Sequence, residues 1–277
     1  MRKMRSHRAC YLVCVAVLAL CACAWAEPLR SVEQLKMERL AAQRGTTGQY
    51  VAEDLLGDNA SLLLTTYERY ADAVTALRRG RARAVIMDEI PARRFMAAVE
   101  GLEIMTEPLS EESYAIGFKK GNDELRASVD AALAELKADG TLDAIIAKYH
   151  EMFLSSDAIT ISPKDIDLNV GAKGGKLIVG TEAGFAPYEL KVGDGHIGID
   201  IEMCAAIAKK LGRELSIEDM NFDALPMAVS TGKVDMICAG ITVTEERKEN
   251  MDFSIDYIVG ARQVALVRAD DYAPKEE

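Results

Sequence analysis

Histidine is scarce in this 277-residue sequence, and cysteine is scarce outside its first 26 residues. Beyond those residues only His150 and His196 remain, and neither has a serine or cysteine neighbour in the pattern of an activated nucleophile. No histidine and cysteine cluster has the spacing of zinc ligands. The sequence therefore argues against an enzyme, and we expect neither a cofactor nor a metal.

Long apolar runs are absent except at the N-terminus. Four basic side chains in residues 1–8 precede an apolar run over 9–23, and an Ala-Trp-Ala sequence ends at Ala26. This is the pattern of an export signal with its cleavage site, and the run is short for a membrane span. We interpret residues 1–26 as a signal peptide and expect an exported protein, with lipid attachment at Cys23 as the alternative to cleavage.

Basic side chains are fewer than acidic ones, at 33 against 44, which gives a net charge of −11. Removing the signal with its four basic side chains would bring the net charge to −15. Such a surface repels phosphate backbones, so we expect no nucleic-acid partner.

Cysteine usage does not indicate a disulfide framework. Only Cys204 and Cys238 follow the signal, the first on the apolar face of a predicted helix and the second in a predicted buried strand. These positions favour free thiols in the core, and a disulfide between them is the alternative in an oxidising compartment.

The dominant pattern in the sequence is an alternation of predicted strands and predicted helices. Short apolar runs alternate with helical patterns of 10 to 15 residues, which indicates parallel strands with crossover helices and an α/β fold. Predicted strands lie near 40–42, 61–66, 84–88, 102–105, 114–120, 176–181, 214–219, 234–240 and 261–268. Predicted helices cover 49–56, 71–79, 92–99, 123–138, 142–149, 201–211 and 223–230, with Asp200 as an N-cap and Gly212 as a helix stop.

Two series of such units are visible, and they predict two lobes. A Ser-, Asp- and Gly-rich linker covers 155–175, and an acidic tail covers 269–277.

Four strand ends carry polar or aromatic residues, and ligands of open α/β sheets bind at such ends. "AGITVTEER" places Gly240, Thr242 and Arg247 at a strand end and helix start, where a guanidinium suits a carboxylate. "QRGTTGQY" (43–50) resembles an anion-binding turn, and Asp88 could pair with an ammonium group.

A second group of side chains could form a separate subsite. Glu182 and Phe185 follow one apolar strand, and Phe222 precedes a helix, so they could hold a polar side chain and its apolar stem. The alternative is structural: both rings in the core, Glu182 in solvent, and Arg247 on an exposed mixed-charge helix face. Under the functional interpretation, the two groups together have the layout of a site for a free α-amino acid.

The motifs as a set resemble the periplasmic amino-acid-binding proteins of ABC importers, the type II (family 3) two-lobed "Venus flytrap" fold. "KLIVGTEAGFAPYE", "GHIGIDIEMCAAIAKKLG" and "AGITVTEERKENMDFS" look like that family's N-terminal half. "AAQRGTTGQYVAEDLL", "ALRRGRARAVIMDEIPARRF" and "EESYAIGFKKGNDELRASVDAALAELKADGTLDAIIAKYH" look like its C-terminal half. The order is reversed, so the resemblance implies a circularly permuted chain. It also implies a first lobe in the chain, lobe 2, at residues 27–108 and a second, lobe 1, at residues 109–268.

The resemblance implies roles for individual residues around the ligand backbone. Arg247 and Thr242, with the backbone N–H of Thr47, correspond to the clamp on the α-carboxylate. Asp88 and the carbonyl of Gly240 correspond to the partners of the ammonium group.

The remaining roles concern the ligand side chain. Phe185 and Phe222 would flank it, and Glu182 and Gln43 would contact its polar end. The family more often has Asp where Glu182 stands, which leaves the side-chain preference open between glutamine, narrowly ahead, and the basic amino acids.

The resemblance implies a monomeric, non-enzymatic solute-binding protein that delivers a polar L-amino acid to an ABC permease in the inner membrane. Two alternatives are a dehydratase or similar lyase on the same fold and a ligand-sensing domain of a receptor.

Overall fold

The computed structural model of the chain describes residues 27–154, 160–168 and 173–274. The predicted export signal lies outside these ranges, as do parts of the predicted linker and the end of the acidic tail. Within the described ranges, no helix combines the length and the apolar character needed to cross a bilayer. The fold is α/β, as predicted, with two main sheets.

The strands are short apart from the last one. In chain order the described strands are β1 Leu40–Gln43, β2 Leu64–Tyr67, β3 Ala84–Asp88, β4 Leu102–Ile104, β5 Ser110–Tyr114, β6 Gly117–Lys119, β7 Lys176–Thr181, β8 Gly184–Phe185, β9 Glu189–Val192, β10 Gly195–Ile197, β11 Glu214–Asp219, β12 Met236–Ile237, β13 Met251–Phe253 and β14 Ile258–Arg268.

Helices connect most of these strands. The described α-helices are α1 Thr47–Leu56, α2 Ala60–Leu63, α3 Tyr70–Arg78, α4 Glu89–Ala98, α5 Asp123–Ala138, α6 Thr141–Leu154, α7 Ile199–Lys210, α8 Leu225–Ser230 and α9 Glu245–Asn250. Shorter 3-10 helices are Val32–Met37, Gly57–Asn59, Pro163–Asp165, Phe222–Ala224 and Ala269–Asp271.

The first sheet has six strands. Its parallel part has the order β2-β1-β3, and β14 runs antiparallel to β3, β4 and β5. Helices α1 and α3 both pack on β3, whose apolar sequence AVIMD is buried at every position. Continuous apolar runs of this kind are typical of strands covered on both faces.

The second sheet has five strands in the order β11-β7-β12-β6-β13. β11, β7 and β12 are parallel, whereas β6 is antiparallel to both of its neighbours. A small antiparallel sheet, β8-β9-β10, follows β7 in the chain. The carboxyl ends of the parallel strands in both main sheets lead into the segments that the sequence singled out.

Sheet membership corrects the predicted lobe boundary. The sequence placed 109–268 in one lobe, but β5 and β14 pair within the sheet that contains residues 40–104. The physical reason is the run Val264–Val267, whose side chains are buried and complete the hydrophobic core of that sheet. We propose a division into two lobes in which β5 and β14 belong with residues 27–108.

Three predicted strands also differ from the structure. Residues 61–63 are helical, because α2 ends there before β2 begins. The predicted strand 114–120 is broken between β5 and β6, and the predicted strand 234–240 is regular only in β12. The apolar runs in 114–120 and 234–240 indicated burial correctly, whereas 61–66 is partly exposed, with Leu62 at the surface. A run of that length does not by itself fix the backbone conformation.

The two ends of the described chain lie side by side. Leu29 forms a parallel bridge with Tyr272, with the Leu29 N–H donating to the Asp271 carbonyl at 2.7 Å and the Ala273 N–H donating to the Leu29 carbonyl at 2.9 Å. Arg83, which is buried, places its guanidinium 3.1 Å from the Asp271 carboxylate. The start of the described chain is thereby tied to the acidic tail.

Candidate ligand-binding site

A cleft between the two main sheets contains all nine of the residues that the sequence assigned to a ligand. The space between its protein atoms is about 280 Å³, part of which is open to solvent. It is lined by Gln43, Thr46, Thr47, Tyr70, Asp88, Glu182, Phe185, Phe222, Ala239, Gly240, Thr242 and Arg247. We call this set the cleft; it lies at the carboxyl ends of parallel strands, where α/β sheets bind ligands.

Arg247 is held inside the cleft and is not on an exposed helix face. Its backbone N–H donates to the Thr244 hydroxyl at 3.1 Å, which caps α9, and its side chain is buried. The guanidinium donates to the Thr242 carbonyl at 2.8 Å and, across the cleft, to the Gly45 carbonyl at 2.9 Å. It lies over the Phe222 ring at 5.5 Å. A guanidinium has five N–H donors, so three remain for an anion.

Glu112 of β5 occupies a central position that the sequence did not indicate. Its carboxylate accepts hydrogen bonds from the Thr47 hydroxyl at 2.8 Å and the Thr242 hydroxyl at 2.6 Å. The side-chain amide of Gln263 donates to it at 3.4 Å. Since each hydroxyl carries one proton, neither threonine can also donate its hydroxyl to a ligand. The backbone N–H of Thr47, at the start of α1, has no partner within the helix.

Asp88 ends β3 at the other side of the cleft and is 6% exposed. The Tyr114 hydroxyl donates to its carboxylate. Burial, and next the negative charge of Glu112, raise the pKa of Asp88 to about 7. A buried carboxyl with a raised pKa regains its charge when a cation is placed beside it, which suits Asp88 to an ammonium group.

Gly240 is required by the geometry of the cleft. Its φ is +54°, and a Cβ atom at this position would lie 2.6 Å from the Phe185 ring. Its N–H donates at 2.9 Å to the carboxylate of Asp200, which also accepts from the Tyr257 hydroxyl at 2.8 Å. Asp200 is thus a buried support of the cleft and not the predicted N-cap, because Gly198 caps α7. The predicted helix stop at Gly212 is confirmed, with a φ of +66°.

Behind Asp200 lies a second fully buried acid, Glu189. Neither oxygen of Glu189 has a hydrogen-bond donor among the described residues, and one oxygen of Asp200 also lacks one. Burial raises the pKa of Asp200 to about 6 and raises the pKa of Glu189, to which the charge of Asp200 adds.

The aromatic residues form two walls. Phe185 stacks on Tyr188 with ring centroids 5.4 Å apart and on Tyr70 at 5.9 Å, so an aromatic from α3, which packs on the first sheet, meets one from β8 of the small antiparallel sheet. Phe222, 8% exposed, faces Arg247. Phe185 and Phe222 are both buried, as the core interpretation expected, and both line the cleft.

Glu182 has a partner that the sequence did not indicate. Its side chain is 2% exposed, and its carboxylate forms an ion pair with the guanidinium of Arg69, the residue before α3. Burial raises the pKa of Glu182 to about 7, against the effects of Arg69 and of a hydrogen bond from Gln43. Gln43 also donates its amide to the Glu68 carbonyl at 2.8 Å.

In the part of the chain that the structure describes, both cysteines are free and no metal-ligand cluster is present. Cys204 and Cys238 are buried and free, which confirms the prediction of core thiols. No group of three or more His, Cys, Asp or Glu side chains in the described ranges is arranged to hold a metal ion.

The sequence did not assign three of the residues that line the cleft, Thr46, Tyr70 and Ala239, or two charged residues that contact its lining, Glu112 and Arg69. Glu112 could have been found, because residues i and i+2 of a strand share a face, and Glu112 and Tyr114 of β5 both hydrogen-bond to residues that line the cleft. Arg69 has no comparable signal, since it follows β2 in a segment without a motif. Its position depends on how α3 is placed against the loop after β7.

The two sheets with a cleft between them define a mixed α/β, two-domain periplasmic-binding-protein fold. The family model of bacterial extracellular solute-binding proteins, family 3, matches residues 33–152 and 177–276. The chain belongs to this family.

Individual relatives match over shorter stretches. The arginine-binding extracellular protein ArtP of Bacillus subtilis (strain 168) is 44% identical over 91 residues, 32% of this chain and 36% of that protein. The ABC transporter glutamine-binding protein GlnH of the same strain is 32% identical over 123 residues, 44% of each chain. Among solved structures, the arginine-bound form of domain 1 from TmArgBP is 39% identical with a TM-score of 0.30, over 35% of this chain and 82% of that one. The chain therefore spans less than half the length of these two curated relatives.

Proposed function

We propose that the protein captures a free polar L-amino acid in the cleft, with L-glutamine ahead of the basic amino acids. The observation that carries this proposal is that all nine residues assigned to a ligand from the sequence line one cavity. Two relatives, named for arginine and for glutamine, support the same ligand class.

The cleft offers a group for each part of an amino acid. Arg247, with the backbone N–H groups of Thr47 and Thr242, holds the α-carboxylate, and the charge-assisted bonds are the strong ones. Asp88 and the Gly240 carbonyl receive the ammonium group. Because these groups come from both sheets, a ligand that contacts them all favours the closed arrangement.

The remaining assignments follow from family membership and the sequence. We propose that the protein is exported, with soluble and Cys23-anchored forms both open, and that it delivers its ligand as a monomer to an ABC permease. We propose a binding protein and not an enzyme, as the names of the relatives suggest.

Circular permutation is part of the proposal. The family match falls in two segments, and the ends of the described chain meet at Leu29 and Tyr272. Adjacent, tied ends are what a permuted chain needs, because the original connection is cut there.

A thermal-shift screen of the purified protein against the common amino acids tests the ligand class. A ligand at about 100 times its Kd stabilises the folded state by roughly 2.7 kcal/mol, a rise of roughly 5 °C or more in Tm. We expect such a rise with L-glutamine and little with acidic or large apolar amino acids. The absence of any shift across the whole set would overturn the proposal.

A further inference from the structure

One charged contact crosses the cleft at the place where a ligand side chain is expected to end. Arg69, which precedes α3 of the first sheet, forms an ion pair with Glu182, which follows β7 of the second sheet. The Arg69 side chain is 33% exposed and the Glu182 side chain is 2% exposed. The guanidinium therefore enters from the cleft rim and ends at a buried carboxylate.

Arg69 occupies the position that a cationic group of a ligand would need in order to pair with Glu182. A buried carboxylate is stable only when it is paired, and a guanidinium matches a carboxylate better than any other side chain. Glu182 is already paired in this way by its own chain and also accepts a hydrogen bond from Gln43. A ligand bearing an ammonium or guanidinium at its end would have to displace Arg69 and would approach a like charge.

A second carboxylate strengthens the case. Asp219, at the end of β11, lies 3.6 Å from the other terminal nitrogen of Arg69. Without Arg69, two carboxylates would face this end of the cleft with no cation between them. A neutral amide can donate to a carboxylate and accept from a guanidinium, so it fits the paired arrangement.

We propose that Arg69 is a specificity-determining residue that selects a ligand with a neutral, amide-type side chain and excludes cationic ones. This inference rests on the proposed function, because it concerns the side-chain end of the same cleft. It narrows the ligand class from polar amino acids in general to those without a side-chain charge.

The test compares binding of L-glutamine and L-arginine by isothermal titration calorimetry in the wild type and in Arg69→Gln. We expect the wild type to bind glutamine more tightly than arginine. In Arg69→Gln the ratio of the two Kd values should shift toward arginine by about tenfold or more, the size of one charge-assisted hydrogen bond.

Arg44→Gln is the matched control. Arg44 lies at the cleft rim, 3.7 Å from Asp223, and is about half exposed, so this variant loses the same charge without touching Glu182. In Arg44→Gln the ratio of the Kd values for glutamine and arginine should stay near the wild-type value. Arg69→Lys, which keeps the cation, should retain the preference for glutamine.

The outcomes separate this inference from the proposed function. Wild-type protein that prefers arginine, or an Arg69→Gln ratio that matches the wild type, would overturn the role of Arg69 while leaving amino-acid capture intact. The wild-type comparison needs no variant to fold. If neither the wild type nor any variant binds an amino acid, the proposed function fails and the role of Arg69 fails with it.

Discussion

At the scale of single residues, the cleft is built from charges that are buried and already partnered. Arg247 bonds to two carbonyls, Glu112 receives two hydroxyls, and Glu182 is paired with Arg69. Partners of this kind fix side-chain positions before any ligand arrives, because a buried charge without a partner is costly. The geometry of the site is therefore a property of the chain itself.

Arg247→Ala tests the carboxylate clamp. Charge-assisted hydrogen bonds contribute roughly 1.5 to 3 kcal/mol each, so removing the guanidinium should raise the Kd for the amino acid by about tenfold or more. Isothermal titration calorimetry measures this change, and circular dichroism establishes that the variant is folded.

Lys248→Ala is the control for Arg247→Ala. Lys248 is the next residue of α9, and its half-exposed side chain contacts Glu245 at 2.8 Å, away from the cleft. The Kd of Lys248→Ala for the amino acid should equal the wild-type value. An unchanged Kd in Arg247→Ala would remove that residue from the ligand site.

At the scale of elements, the cleft depends on short segments between strands and helices more than on the regular elements. β12 has only two residues, and the backbone after it turns at Gly240 to bring Thr242 and Arg247 inward. The segment is held from behind by the Asp200 carboxylate and from the side by the Tyr114–Thr242 bridge. A change in this turn should therefore affect binding and stability together.

Gly240→Ala tests that turn. The left-handed backbone costs a non-glycine residue roughly 1 to 2 kcal/mol, and overpacking adds roughly 1 to 3 kcal/mol. Here the new Cβ would clash with the Phe185 ring at 2.6 Å. We expect a lower free energy of unfolding in urea and a large loss of ligand affinity.

Gly260→Ala is the control that measures how much a left-handed backbone alone costs in stability. Gly260 has a φ of +77°, but a Cβ added there would meet no described atom within 4 Å, and the residue lies at the register shift of β14. This variant should lose only the backbone part of the stability and should bind ligand normally. Equal losses of stability in the two variants would show that the contact with Phe185 has no effect.

At the scale of the whole molecule, we expect the free energy of unfolding to fall as the pH rises from acidic values toward neutrality. Asp200 and Glu189 are fully buried within the second sheet's side of the molecule, and both have raised pKa values. Between about pH 4 and pH 6 the folded chain keeps protons on these carboxyls that the unfolded chain has released. Raising the pH therefore shifts the equilibrium toward unfolding.

We expect the Tm of the unliganded protein to fall as the pH rises from about 4.5 to about 7. His150 and His196 act the other way, since burial lowers their pKa values, but they are only half buried, whereas both carboxyls are fully buried. Scanning calorimetry across this range measures the slope.

Glu189→Gln identifies the source of the slope. It keeps the size of the side chain and removes a titrating group, so the Tm of this variant should vary less with pH and should exceed the wild-type value at pH 7 and above. A wild-type Tm that rises steadily through this range would contradict the prediction.

The sequence determined the α/β class, most strands and helices, and nine of the twelve residues that line the cleft. Gln43 and Thr47 were assigned individually from the resemblance to the family. The other assignments follow from local signals: apolar periodicity sets the elements, and polar residues at strand ends indicate the site, since such ends meet at one edge of a sheet. β3, β7 and α5 match their predicted bounds for this reason.

Only the tertiary structure decided which partners these residues have. The sheet that contains β14, the role of Asp200 behind Gly240, the central carboxylate of Glu112 and the pairing of Arg69 with Glu182 all depend on contacts between distant segments. No local pattern encodes such contacts, because the free energy of a buried charge or strand depends on what packs against it.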